Sequence, residues 1–276
     1  AGYANSADLS GITASVDTDV SYTGMYTYVG GVVGYALGTV KVKDVQSLGD
    51  IGVTCSNAYE ISVGGILGYL ASGTLTMDGA VNRGDVETKT VGSLNSSSSA
   101  YSGGLIGRTV STTTVSNSVN WGDISCNDAA GFGKCFVSGV AGYCSTMAVK
   151  NSANVGDITE GSGASDGRAC GLFITVSKAS ADNFVNYGKI TSNSESNAFY
   201  IWYKTTSTSI SGSLLNVYTV KDAADDIICD TEGGLEYNSV GIIDEENNLS
   251  AWKDYDLNYV RPNDDETYAS DLEYAV

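Results

Sequence analysis

Apolar residues in this chain recur in short runs where apolar and polar positions alternate, and glycine or asparagine separates one run from the next. Val40-Lys41-Val42 and Leu75-Thr76-Met77 are two such runs. Alternation with a period of two is typical of a β-strand that buries one face. Because valine, isoleucine, threonine and tyrosine dominate these runs and turn-forming residues flank them, the pattern predicts an all-β protein.

Two sequence blocks recur in phase along the chain, which marks it as a repeat protein. The first block is Gly-Gly-apolar-apolar-Gly, and its copies, which decay toward the end, begin at Gly30, Gly64, Gly103, Ser138 and Cys170. The second block is apolar-Asn-x-Gly-Asp-apolar, and its asparagine stands at Asn82, Asn120, Asn154, Asn186 and, in a decayed copy, Asn216. Successive asparagines are between 30 and 38 residues apart, a length typical of one solenoid repeat.

Each repeat offers three short strands separated by corners that contain glycine or asparagine. A unit of this size cannot bury its own apolar face, but a stack of such units buries a continuous core. The sequence therefore predicts a right-handed parallel β-helix, or β-solenoid, of about six coils over residues 1–220. Stacking in register predicts one apolar core column, formed by Ile51, Val86, Ile124, Ile158, Ile190 and Val220.

The asparagines of the second block are predicted to form a structural corner ladder, with the members Asn82, Asn120, Asn154, Asn186 and Asn216. Asparagine tolerates the left-handed backbone conformation of a tight turn. Stacked amides also hydrogen-bond from one coil to the next, as in other cross-β ladders. A row of ligand-binding side chains is the other interpretation of the same column.

The four-residue core Gly-apolar-apolar-Gly at residues 31–34, 65–68, 104–107 and 139–142, followed in phase by the second block, resembles the GLUG-motif repeat. The resemblance covers residues 28–192, with decayed copies to residue 220. Such repeats occur in large bacterial surface proteins, including adhesins and passenger regions of IgA-cleaving metallopeptidases. The resemblance implies a β-solenoid on a cell surface. It implies no peptidase activity, because the chain has no histidine and therefore no H-E-x-x-H motif.

Charge is distributed unevenly along the chain. The formal net charge is -18, which argues against nucleic acid as a partner. Sixteen acidic and only three basic residues lie in residues 221–276, where the repeats have ended. We therefore expect a boundary near residue 220, followed by a small acidic β-rich region at 221–276 that acts as a cap or a docking region.

The six cysteines suggest an oxidising compartment, because their number is even and the chain is rich in serine, threonine and asparagine. Cys126 and Cys135 flank one glycine-containing stretch and form the predicted disulfide; six buried thiols in a reduced protein are the alternative. Asn95 and Asn248 lie in N-glycosylation sequons. No apolar run approaches the ~18 residues of a membrane span. These features favour an extracellular or cell-surface location.

The start of the chain predicts an incomplete coil. Residues 4–9 are similar to the second block around Asn154, so residues 1–27 are expected to form a partial first coil with an open end. An open coil leaves backbone groups unpaired, and another copy of the chain can complete it. A private cap formed by residues 1–27 is the alternative. Because a head-to-tail contact that does not close produces a filament, the expected partners are other copies of the chain.

Acidic residues offer the first candidate chemistry. Asp50, Asp85, Asp123 and Asp157 each follow the corner glycine, and Lys189 takes the next position. The column is either a calcium ladder or a row of solvated acids that accept backbone N–H bonds, and we adopt the second interpretation. The spacing of acidic residues at 254–265 is similar to an EF-hand loop but lacks its glycine. Calcium is the one cofactor considered, and none is predicted.

Aromatic residues offer the second candidate. Tyr35, Tyr69 and Tyr143 occupy one position in three coils, and Arg108 occupies it in the fourth. Such a column either binds sugar rings or packs beside the corner with its hydroxyls in water.

The sequence as a whole predicts a non-enzymatic extracellular structural protein, a surface fibre or filament subunit that assembles head-to-tail through its solenoid ends. The alternative is a monomeric adhesin module that binds a glycan or a host protein through its side. A glycan-active β-helix enzyme is the third candidate. Such an enzyme needs convergent acids on adjacent coils, whereas the sequence offers one acid per coil at a corner.

Overall fold

A computed structural model describes residues 2–91, 97–128, 133–161, 163–164, 166–193, 198–199, 202–204, 211–220 and 235–243. Over these residues the regular structure is entirely β, and it contains no helix. Every strand pairing is parallel, and three sheets run side by side along one axis. The prediction of an all-β parallel solenoid is confirmed, with a coil number close to the predicted six.

The strands are numbered in chain order and divide into three sheets. Sheet A contains β1 (Tyr3–Asn5), β2 (Asp8–Ser10), β3 (Thr13–Ala14), β6 (Val33–Leu37), β7 (Thr39–Ser47), β10 (Leu67–Leu70), β11 (Thr74–Asn82), β14 (Ile106–Ser116), β15 (Val119–Asn120), β18 (Ala141–Asn154), β21 (Phe173–Asn186), β24 (Trp202–Lys204), β25 (Ser211–Val220) and β26 (Leu235–Ile243). Sheet B contains β4 (Thr18–Thr23), β8 (Ile51–Ser56), β12 (Val86–Val91), β16 (Ile124–Asp128), β19 (Ile158–Glu160) and β22 (Ile190–Ser192). Sheet C contains β5 (Tyr26–Gly30), β9 (Glu60–Gly64), β13 (Ser99–Gly103), β17 (Lys134–Ser138), β20 (Asp166–Cys170) and β23 (Ala198–Phe199).

Each coil passes through sheets A, B and C in turn, and the two sequence blocks make two of its corners. The second block forms the corner from A to B, and the first block forms the bend from C back to A. Strands stack in register, so equivalent side chains form columns. The core column of sheet B is Ile51, Val86, Ile124, Ile158 and Ile190, all buried, as the repeat predicts.

Glycine is required in the bend because the bend reaches across the coil to the opposite corner. A Cβ placed on Gly104 would lie 2.3 Å from Cγ of Asn120, and one on Gly65 would lie 2.3 Å from Cγ of Asn82. Real side chains do not tolerate such distances. The two sequence blocks therefore recur in phase because they touch each other within every coil.

The first coil differs from the sequence-based alignment. Tyr3 pairs with Tyr35, so the chain enters sheet A directly after the position of the bend. Ala14, which pairs with Ser47, occupies the corner position of the asparagine ladder. The alignment of residues 4–9 with the second block is therefore wrong. Strands of all three sheets are present between Tyr3 and Gly30, so the first coil is fuller than expected.

The last described strands also shift the register. Asn186 pairs with Thr219, whereas Asn216 stands between Leu215 and Val217 and lies three positions before the ladder. Asn216 is therefore not a ladder member, and Val220 does not continue the core column of sheet B. Strand β26 pairs in parallel with β25 and extends sheet A beyond residue 220. The rest of the expected acidic cap or docking region, including the EF-hand-like spacing, lies outside the described residues.

Candidate functional site

The asparagine ladder runs through the interior of the corner between sheets A and B. The side-chain amide of Asn82 donates to Oδ1 of Asn120, Asn120 to Asn154, and Asn154 to Asn186, each at 2.8 Å. Each amide also donates to the carbonyl oxygen of the glycine two residues on, at 2.7 to 2.8 Å. All four side chains are fully buried. The ladder is thus a structural device, and its members are not presented to a ligand.

The ladder ends differently on its two sides. The Asn186 amide donates to Oγ1 of Thr219 at 3.3 Å, so a hydroxyl replaces the expected asparagine. At the other end, Oδ1 of Asn82 is buried and has no hydrogen-bond partner. The reason lies in the preceding coil, where Ser47 occupies the ladder position. Its short side chain carries no amide that could donate to Asn82. One acceptor of the ladder is therefore left unsatisfied inside the protein.

A second asparagine column lies three residues before the first and was missed by the sequence analysis. Asn117, Asn151 and Asn183 all have left-handed backbone angles, with φ of 50°, 47° and 56°. Asn183 donates to Asn151 at 3.1 Å, Asn151 to Asn117 at 3.4 Å, and Asn117 to Asp78 at 2.7 Å. Asn216 is in register with Asn183. The recurring Asn-x-x-Asn spacing was the signal for this column.

The aspartates after the corner glycine form an exposed column in which each carboxylate bonds to the next coil. Asp85 accepts from the backbone N–H of Asp123, and Asp123 accepts from that of Asp157, both at 2.8 Å. Desolvation raises the pKa of Asp123, and the neighbouring carboxylates Asp85 and Asp157 add to this shift. In the described part of the chain, no group of three or more acidic, cysteine or histidine side chains could hold a metal ion.

A polar seam joins sheets B and C inside the solenoid. Cys126 and Cys135 form the predicted disulfide, which connects β16 to β17 across this seam. One coil earlier, the hydroxyls of Thr88 and Ser102 hydrogen-bond at 2.8 Å. The thiol of Cys55 donates to Thr27 at 3.4 Å, and burial raises its pKa. The seam is therefore closed by different pairs along the solenoid, and the Cys55–Thr27 pair joins two successive coils.

The seam also contains a buried acid that the sequence analysis did not identify. Glu160 is 2% exposed and accepts hydrogen bonds from Oγ of Ser192 at 2.7 Å and from the backbone N–H of Asn193 at 3.3 Å. A Cβ on Gly167 would lie 2.5 Å from the Glu160 carboxylate. The glycine thus makes room for the acid, which closes the seam in this coil.

An aromatic face covers the outside of the bend between sheets C and A. The predicted column forms, and successive rings of Tyr3, Tyr35 and Tyr69 are 5.8 and 5.6 Å apart. Tyr28 of sheet C joins this column from the other side of the bend, because its ring lies 5.4 Å from Tyr35 and 4.8 Å from Tyr69. Thr27 points into the core, where its hydroxyl accepts a hydrogen bond from the Cys55 thiol. Because side chains alternate along β5, Tyr28 points outward. The face is therefore built from two sheets.

Arg108 sits at the centre of the face. Its guanidinium forms an ion pair with the Glu60 carboxylate. It also lies 5.0 Å from the ring centroid of Tyr69, 5.1 Å from Tyr101 and 5.4 Å from Tyr143, which are cation–π distances. Burial lowers the pKa of Arg108, but the charge and hydrogen bond of Glu60, together with the Tyr101 and Tyr69 phenols, outweigh that effect, and the pKa is raised. The group therefore remains a charged anchor for the rings.

The aromatic face opens toward the first two coils. Tyr101 and Phe136 are buried, whereas Tyr3, Tyr26 and Tyr59 are 63%, 51% and 41% exposed. Burial and the nearby Glu60 raise the pKa of the Tyr28 phenol, so it stays neutral. The most exposed rings are therefore those of Tyr3, Tyr26 and Tyr59 in the first two coils, whereas Tyr143 is half-buried. Sequence analysis found the column in sheet A but missed the partners in sheet C.

No protein-family model, no curated protein and no solved structure matches the chain. Among the described residues, no helix is long and apolar enough to cross a membrane. The two predicted glycosylation sites, Asn95 and Asn248, lie outside the described residues.

Proposed function

We propose that this protein is a non-enzymatic extracellular structural subunit that associates with further copies of itself through the exposed edge of its first coil. The observation that carries the proposal is the open edge of all three sheets at that end. Among the described residues, β1, β4 and β5 are each the terminal strand of their sheet and pair on one side only. Unpaired parallel edges are a template for further strands.

Within the described residues, the apolar side chains of the first coil are less covered than those of the second. Leu9 and Val20 point into the core column but are only partly buried, whereas their neighbours in the second coil, Val42 and Val53, are 3% and 1% exposed. At the same end Val16 is 77% exposed. Stacking a further coil here buries this apolar surface and pairs the edges in one step.

A second copy of the chain is the occupant that the columns favour. The first coil presents Tyr3 and Asp17 in columns whose inner members are also tyrosine and aspartate, as at Tyr35 and Asp50. A coil with tyrosine and aspartate at these two positions therefore continues both columns. The disulfide supports an oxidising compartment, and the resemblance to GLUG-motif repeats supports a cell-surface location.

Lateral binding of a glycan or a host protein is the second candidate function. The aromatic face favours it, because tyrosine combines a large apolar ring with a polar hydroxyl and is common at binding surfaces.

Sedimentation velocity over a concentration series tests the self-association. We expect the wild-type protein to shift to larger species as concentration rises, and Val16→Lys to remain monomeric because it places a charge on the stacking edge. Val91→Lys is the matched control, since Val91 is 47% exposed in the third coil, away from the edge.

Circular dichroism spectra of both variants must match the wild type, so that a loss of association reports on the contact and not on folding. A wild-type protein that stays monomeric throughout the series contradicts the proposal. Equal loss of association in Val16→Lys and Val91→Lys contradicts it as well.

A further inference from the structure

Five tyrosines on the first two coils form one connected surface, which we call the tyrosine patch: Tyr3, Tyr26, Tyr28, Tyr35 and Tyr59. Their ring centroids are linked in a chain with steps of 5.4 to 6.4 Å. Three of the five rings are more than 40% exposed. Monomeric proteins rarely leave such a connected apolar surface uncovered without a ligand or partner.

The patch has a polar rim where β9 crosses it. The Glu60 carboxylate forms an ion pair with Arg108, and these two side chains keep 13% and 19% of their surface exposed. Oγ of Ser62, on the same strand, has no hydrogen-bond partner but is fully buried, so it does not reach a ligand. Ser62 is in register with Tyr28 and Tyr101, so its hydroxyl lies on the outward side of sheet C, among the rings. Exposed aromatic rings beside a partly exposed ion pair suit a ligand with both apolar faces and hydroxyls.

The charges of the protein disfavour ionic ligands at the tyrosine patch. The chain carries a net charge of -18, and the ionic group at the rim is an arginine already neutralised by Glu60. A polyanionic ligand is therefore repelled by the protein and finds no free cation at the rim. A cationic ligand would compete with Arg108 for Glu60. A neutral polyhydroxy ligand avoids both costs, donates hydroxyls to the partly exposed Glu60 carboxylate and stacks its C–H faces on tyrosine rings.

We propose that the tyrosine patch binds a neutral oligosaccharide that lies across the first two coils. The site does not depend on self-association, because Tyr59 belongs to the second coil and its backbone is already paired with the first coil through Met25 and with the third through Ser99. Glu60 and Arg108 position the rings and supply the hydrogen-bonding rim.

Titration calorimetry with four defined probes tests the site: cellohexaose, laminarihexaose, chitohexaose and, as a polyanion, a heparin hexasaccharide. We expect at least one neutral hexasaccharide to bind and the heparin fragment not to bind. Tyr59→Ala should weaken that binding about tenfold, which corresponds to about 1.4 kcal/mol. Tyr22→Ala is the matched control, because Tyr22 is 49% exposed in the first coil but belongs to sheet B, outside the patch.

Three outcomes overturn the proposal: none of the neutral probes binds, only heparin binds, or Tyr22→Ala weakens binding as much as Tyr59→Ala. A patch that serves as a contact between copies gives a different result, in which Tyr59→Ala abolishes self-association and no saccharide binds. Sedimentation of Tyr59→Ala therefore separates the two proposals, since we expect it to associate like the wild type while losing saccharide affinity.

Discussion

The unsatisfied end of the asparagine ladder gives a prediction of increased stability. Ser47 occupies the ladder position one coil before Asn82, whose buried Oδ1 lacks a partner. In Ser47→Asn, the new amide can donate to that oxygen and to the carbonyl of Gly49, as the other ladder members do with their neighbours. The position can accept the larger side chain, because Gly31 faces it as Gly65 faces Asn82.

The size of the effect follows from the bonds that the substitution adds. Two new buried hydrogen bonds contribute about 0.5–1.5 kcal/mol each, and one buried acceptor is no longer unsatisfied. Ordering the new side chain opposes part of this gain. We therefore expect an increase in the free energy of unfolding of about 1–2 kcal/mol. At about 2–4 °C per kcal/mol for a chain of this size, the midpoint of thermal unfolding should rise visibly.

Urea unfolding followed by circular dichroism measures this change directly. Ser47→Val is the control, because it adds bulk at the same position without an amide. If Ser47→Val stabilises the protein as much as Ser47→Asn, the gain comes from packing and the ladder argument is wrong. A decrease in stability of Ser47→Asn would show that Gly31 does not leave the room inferred from the equivalent coils.

Three further predictions concern the interior and the corners. Asn120→Ala should destabilise the protein by about 3 kcal/mol, since it leaves several buried ladder groups unpaired. Asn151→Gly should cost less than about 1 kcal/mol, because that amide lies nearer the surface and glycine suits its left-handed backbone. Equal losses of the free energy of unfolding in urea would contradict this difference between the two columns. The pKa of Asp123 is raised in the folded state, so its charge lowers stability at neutral pH. Asp123→Asn should therefore stabilise the protein at pH 7, with a gain that disappears as pH falls toward about 4. A gain that does not depend on pH would show that the charge of the Asp123 carboxylate is not its source. Replacing Cys126 and Cys135 by serine should cost about 2.6 kcal/mol for a loop of this length, and unchanged unfolding under reducing conditions would show that the bond is not formed in solution.

The sequence predicted the features that repeat with the same residue type in the same phase. Asn82 to Asn186 share one motif and one spacing relation to the glycine bend, so their stacking followed from the pattern. The register failed where the motif had decayed. Thr219 stands at the ladder position, and Lys221 stands two residues on, where the other repeats have glycine. Because threonine and lysine hide this copy of the motif, the alignment was placed on the nearby Asn216, three residues too early.

The parts of the aromatic face that the sequence did not reveal come from strands without a recurring pattern. Tyr28 and Tyr101 share one column of sheet C, but Ser62 stands between them in that column, and Glu60 lies in a different column. Tyr28, Glu60 and Tyr101 meet Arg108 only because the glycine bend brings the outer surfaces of sheets C and A together. Contacts of this kind depend on the bend angle, which alternation of apolar and polar residues does not encode.

Electron microscopy of the purified protein in negative stain, over a concentration series, tests the central claim most directly. Head-to-tail stacking, in which the first coil of one copy lies on the far end of the next copy, predicts uniform filaments whose axial repeat is a few tens of ångströms, since six coils at ~4.8 Å span about 30 Å. Isolated short rods at every concentration would contradict the claim.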